Sequence, residues 1–169
     1  MATNAVNLGI GRATGMFYTA AAGTALPADL TALANWGTEV GYVSHDGITL
    51  HLAQNKDTLK DWSNSIRRML PSTDSGTVQV PVISTTADSL EAVFGEENVS
   101  GTTVTINPNN VQSAKAWCLA MKDGDDFIIL GTTSGYVSDI ADVTFQPEDA
   151  ITWNATISAD TWTLTKGTA

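Results

Sequence analysis

"TVQVPVIS", residues 77–84, decides the fold class. Val78, Val80 and Val82 alternate with Thr77, Gln79 and Pro81, the period of a strand with one buried face. Pro81 has no N–H to give, so the strand is expected near an edge or at a bulge. Upstream, "GITLHLAQ" (47–54) repeats the pattern, with Ile48, Leu50 and Leu52 opposed to Thr49, His51 and Ala53. Between them, "NSIRRMLPST" reads as the partner strand of a long hairpin or an extended excursion.

Downstream the pattern persists. "AKAWCLAMK" and "DFIILGTT" joined across "DGD" predict a hairpin. "GTTVTINP", "GYVSDIADVTFQ" and "AITWNATISADTWTLTK" bring the expectation to about eight strands. "TTADSLEAVFGEE" predicts a helix: Thr86 or Asp88 can cap it, Leu90, Val93 and Phe94 give an apolar face, and Gly95 can end it. At about two turns it must pack on the sheets to persist. The first 40 residues look irregular, interrupted by Gly9, Gly11, Gly15 and Gly23, with one short helical turn within "LPADLTALANW". The sum is a mainly-β sandwich or barrel-like domain.

The 169 residues suit one domain. A net charge of −10, from 18 acids against 8 bases, disfavours holding nucleic acid or anionic lipid. Residues 123–160 carry eight acids and no base, either a solvated face or a surface that meets a polyanion without gripping it. One cysteine, Cys118, excludes an intrachain disulfide framework. No apolar run approaches the roughly 18 residues of a membrane helix. "RATGMFYTAAAGTALP" (12–27) imitates a signal peptide only faintly, so a cytoplasmic product is expected.

Chemistry-bearing residues are sparse. His45, Asp46 and His51 are the nearest approach to a metal set, but a turn and an outward strand position give no reason to converge, and no third histidine exists. The acidic "DGDD" (123–126) lacks the ligand spacing of an EF-hand loop. There is no "GxSxG", and Cys118 alternates in a strand as a small buried hydrophobe. No catalytic, cofactor or metal residues are therefore assigned. Trp117 and Trp153 read as core; Trp36, Trp62 and Trp162 are less constrained, and an exposed Trp is typical of a protein contact.

One ordered set of motifs is more specific. Tyr18 to Ala20 ("Y-x-A"), Gly23 to Pro27 ("G-T-x-L-P") and Gly41 to Leu50 ("GYVSHDGITL") are followed by "DTLKDW", "IRRM", a Val-alternating strand and a short helix ending "VFG". In this order, through "GYVSDIADVTFQPEDAITWNATISA", the chain resembles the major tail tube proteins of long-tailed bacteriophages, especially those infecting actinobacteria. His45 stands at a variable position of that pattern, which favours a surface turn over a ligand.

The resemblance implies a β-sandwich or split barrel with one short flanking helix, a long β-hairpin and an extended N-terminal arm. It implies an arm over residues 1–35, making inter-ring contacts, and a single domain over 36–169. It further implies six copies per ring, hairpins joined into a barrel around a lumen, and rings stacked into a tube through which DNA passes as unbound cargo. The tape measure protein and the tail terminator and distal tail proteins would be its partners. It would reside in the virion, and in the host cytoplasm during assembly, with no membrane partner. The barrel-lining hairpin is expected over residues 63–85, with a second strand pair from the C-terminal half. Tyr18, Leu26, Pro27, Arg67, Arg68, Met69, Val78 and Val80 are the candidate self-assembly residues, the two arginines pairing with acids of a neighbouring subunit. Competing readings are a secreted β-sandwich that binds glycans through its tryptophans, and a capsid decoration protein.

Overall fold

The computed structural model describes residues 17–53, 57–70, 75–123 and 125–168. The opening stretch is strand β6 (Gly76–Val82), and Val78, Val80 and Val82 are fully buried. It lies between β11 (Trp153–Ala159) and β3 (Thr49–Leu52), antiparallel to both, with Ile157 and Leu50 opposite Val78. Pro81 is not at an open edge. Its carbonyl accepts from Ser44 N–H at 2.8 Å, so the missing N–H faces residues 42–44, where pairing reduces to a single Val43–Val82 bridge. The Ser44 carbonyl accepts instead from Gly47 N–H within a tight turn, and β6 runs through Pro81 opposite Asn154 without a bulge. All four β3 side chains are exposed, so β3 lies at the margin of the core and not half inside it.

The expected DGD hairpin is β9 (Lys115–Asp123) and β10 (Asp126–Ile140). At 15 residues, β10 serves two sheets. Along one side run β11 and then β12 (Thr163–Thr168) end to end: Tyr136 faces Ser158, and Gly131 faces Thr163. Along the other side runs β9, then β1 (Phe17–Ala21) and β2 (Thr38–Gly41). The Val43–Val82 bridge returns the continuation of β2 to β6, so the pairings β2-β1-β9-β10-β11-β6 close on themselves as a split barrel.

Alternation then sorts the core. Phe17, Val40, Trp117, Leu119, Leu130 and Ile157 join the three valines in one cluster, with Phe17 stacked on Trp117 at 5.6 Å. Helix α2 (Ala87–Phe94) closes that cluster with Ala92, Val93 and Phe94. Of the two caps expected, Thr86 is the one used: it accepts from Ser89 N–H while Ser89 Oγ accepts from Thr86 N–H. Gly95 ends the helix with φ 94°.

On the opposite face of the sheet, Cys118, Ala120, Phe127 and Ile129 are covered by Leu33 of α1 (Leu30–Leu33). This is the short turn expected after Pro27, capped by Asp29, whose Oδ1 accepts from Ala32 N–H at 2.7 Å. The segment expected as an arm over 1–35 is thus divided. Residues 17–21 are an internal strand, paired on both sides because Phe17 and Thr19 alternate into the core. The part at 1–16 lies outside the described residues.

Two further corrections concern strand pairing. β5 (Ile66–Leu70) pairs with β4 (Asp57–Lys60) and not with β6, so the hairpin is not residues 63–85. Leu52 faces Gly76 and Asp57 faces Leu70: β3/β6 and β4/β5 are successive parts of one antiparallel excursion that turns at residues 61–65. "GTTVTINP" contributes only the minimal strands β7 (Val99–Ser100) and β8 (Thr103–Val104). Its Asn107 side chain instead forms a local turn, accepting from Asn109 N–H at 3.0 Å.

Candidate assembly surfaces

The excursion ends in the most exposed apolar group of the described chain. Among the described residues β4 and β5 pair only with each other, and the described side chains from Thr58 to Arg68 are exposed except the half-buried Asp61. Asp61 builds the apex: its Oδ1 accepts from Ser63 N–H at 2.9 Å and Ser65 N–H at 3.0 Å, and its carbonyl from Asn64 N–H at 2.9 Å. Asn64 takes the left-handed conformation, φ 63°, that a short polar side chain tolerates. The result is a fixed turn that holds Trp62 fully in solvent, flanked by exposed Leu59 and Ile66.

The other four indoles are used internally. Trp117 and Trp153 are buried, as their strand positions suggest. Trp36 donates to the Ala25 carbonyl at 2.6 Å, and Trp162 to the Gly76 carbonyl at 3.0 Å. Trp62 was distinguishable in the sequence by its setting, "DWSNS", a run of turn residues with nothing apolar beside it.

The candidate self-assembly residues separate by burial. Val78 and Val80 have no accessible surface, so they cannot touch a neighbour; they hold β6 in the barrel. Pro27 is buried, and Leu26 lies on Gly131 so closely that an added Cβ there would stand 2.7 Å from Leu26 Cδ2. Tyr18 packs half-buried against the α1 cluster, and burial first, then Glu39, raises its phenol above the usual value. Arg68 is exposed on β5. The backbones of Arg67 and Met69 belong to β5, and their side chains lie outside the described set.

A second surface lies between α2 and the end of β10. It is a groove of about 400 Å³, walled by Phe94, Trp153, Val137 and Ile140 and rimmed by the exposed Ile106 and Phe145. Phe94 and Phe145 both meet Trp153 edge to face, at 5.4 and 6.2 Å. Asp139 lines the groove, and Glu97 stands beside it, accepting from the lining Asn110 at 3.2 Å. Backbone bonding, then Asn110, holds the Glu97 carboxyl below its ordinary value.

The groups considered for chemistry are not assembled for it. His45 and Asp46 approach to 3.5 Å with both side chains in solvent, and His51 stands apart on the exposed β3. Among the described residues no three His, Cys, Asp or Glu side chains converge as a metal set. Cys118 is buried, and desolvation pushes its thiol up to about 12, far from a reactive thiolate. Among the described residues no helix is long and apolar enough to cross a membrane.

No curated protein is similar enough to be matched to this chain. The model of one family, described as "Phage tail tube protein", matches residues 1–161. That family is structural, not enzymatic, and its members are virion components. A split β-barrel with a flanking helix and a separate two-stranded hairpin agrees with the match: the chain belongs to the phage tail tube protein family.

Proposed function

We propose that six copies of this chain form a ring, that rings stack into the tail tube, and that DNA passes along the bore without being held. The β4–β5 hairpin carries this reading. A two-stranded ribbon is marginal alone in water, yet among the described residues this one leaves Leu59, Trp62 and Ile66 exposed to solvent. Cover from a neighbouring copy accounts for that exposure. The outer edges of β3 and β12 have no strand partner among the described residues, which suits strand pairing between subunits.

The charge supports the same reading. At −10 net, the subunit repels phosphates, and a repelling wall keeps a duplex moving where a basic one would retain it. In this reading the N-terminal segment makes the inter-ring contacts, and Tyr18, Leu26 and Pro27, which pack on the domain, stand where that segment meets it. The tape measure protein within the tube, and the terminator and distal tail proteins at its extremities, complete the partner set.

Electron microscopy of the purified chain tests this. Hollow tubes or rings with six-fold symmetry are expected. Material that stays monomeric in sedimentation at high concentration refutes the assembly, and a reconstruction with a basic bore refutes the repelling wall.

A further inference from the structure

We propose that the hairpin apex, led by Trp62, seats in the groove between α2 and β10 of a second copy, joining copies head to tail. This rests on the tube reading for the existence of an assembly, and names the two surfaces that meet. The knob is preorganised: the bonds to Asp61 fix the turn before any partner arrives, so little ordering cost remains on docking. The hole matches it. A cavity of about 400 Å³ with Phe94 and Trp153 as walls accommodates an indole in the edge-to-face contacts that aromatic rings prefer.

Charge selects the pairing. The hairpin exposes Lys60 and Arg68, and its sequence, residues 57–68, holds three bases against two acids. The β10 end and the loop after it belong to the 123–160 segment with eight acids and no base, and Asp139 stands in the groove wall. Opposite signs on the two surfaces favour their encounter and penalise hairpin against hairpin.

The strand register places the two surfaces at different ends of β6, which suits a contact between copies. The hairpin departs where Leu52 faces Gly76 and Gly76 faces Ala159; the groove lies toward the other end, where Val82 faces Trp153. Those ends are six residues apart along β6, roughly 20 Å at strand rise. A knob on one part of the surface and a hole on another make a heterologous contact, which repeats from copy to copy.

Two single-cysteine variants test the docking, Ser63→Cys at the apex and Thr105→Cys in the groove, with the buried Cys118 as a silent background thiol. Native assembly is scored first by microscopy. Mild oxidation of tubes grown from an equal mixture should yield a 63–105 cross-linked dimer that neither variant yields alone. Trp62→Ala should raise the critical concentration for assembly more than tenfold with an unchanged melting profile. Arg68→Glu should weaken assembly, and Asp139→Lys in the same chain should restore it. Tubes that form without the cross-link, or that form from Trp62→Ala at the native concentration, overturn the docking and leave the tube reading intact. A native chain that never assembles overturns the tube reading itself, and the docking with it.

Discussion

The indole Nε1 of Trp117 donates to the carbonyl of Gly135 at 3.0 Å, across the point where the β9–β10 register shifts between Thr132 and Gly135. The bond anchors β9 at the place where β10 passes from one sheet to the other. Trp117→Phe removes the donor to Gly135 and opens a void beside Phe17. A loss of about 2–4 kcal/mol is expected. Urea unfolding should show a lower midpoint with an unchanged slope; a midpoint within error of the native one would remove this bond from the account.

Gly41 makes the first "GYVS" motif work. Its φ is 131°, and an added Cβ would stand 2.6 Å from Ser84 Cβ and Oγ, the hydroxyl that accepts from Tyr42 N–H at 2.8 Å. Gly41→Ala should cost about 1–3 kcal/mol through strain at this crossing. Ser84→Gly in the same chain should recover only the steric part, because the backbone conformation still disfavours a Cβ. Thermal melting of the single and double variants separates the two contributions.

Truncations distinguish arm from domain. Removing residues 1–16 should leave the melting temperature within a few degrees of native while tubes fail to lengthen. Removing residues 1–24 also deletes β1, exposes one side of β9 and should abolish cooperative unfolding. Tubes of ordinary length from the shorter deletion would exclude the arm from ring stacking.

Cys118 gives a signature in pH. Its folded-state value of about 12 lies above the ordinary 9.0, so the folded state retains the proton longer than the unfolded chain does. Its contribution to stability is complete below about 9 and is lost as pH rises from there toward 12. Cys118→Ala should flatten the decline in that window. In native protein at neutral pH, a thiol reagent should label Cys118 only on unfolding, and rapid labelling would contradict its burial.

Much of the fold was legible because single strands carry their own period. Val78, Val80 and Val82, the β9–β10 hairpin, the capped helix and the buried Trp117 and Trp153 follow from alternation and turn chemistry. Pairing is a relation between distant segments, and there the reading erred. "IRRML" is apolar and extended, but nothing within it says whether it joins "DTLK" or "TVQVPV". β1 was hidden for a similar reason: "FYTAA" is too short and too rich in alanine to declare itself, and only its two neighbours make it internal. The candidate assembly residues separate by exposure. Arg68 is exposed on the hairpin, whereas Val78 and Val80, named for the same role, are the strongest core signals in the chain. The groove was invisible because Phe94, Ile106, Val137 and Trp153 meet only through the fold.

The hairpin and the groove lie toward opposite ends of β6, which gives the subunit a direction. In the head-to-tail docking proposed above, stacked copies inherit that polarity, so that the finished cylinder would present projecting fingers at one mouth and empty sockets at the other. Growth at the two mouths would then be chemically unequal, and a plug shaped for one of them would not fit its counterpart.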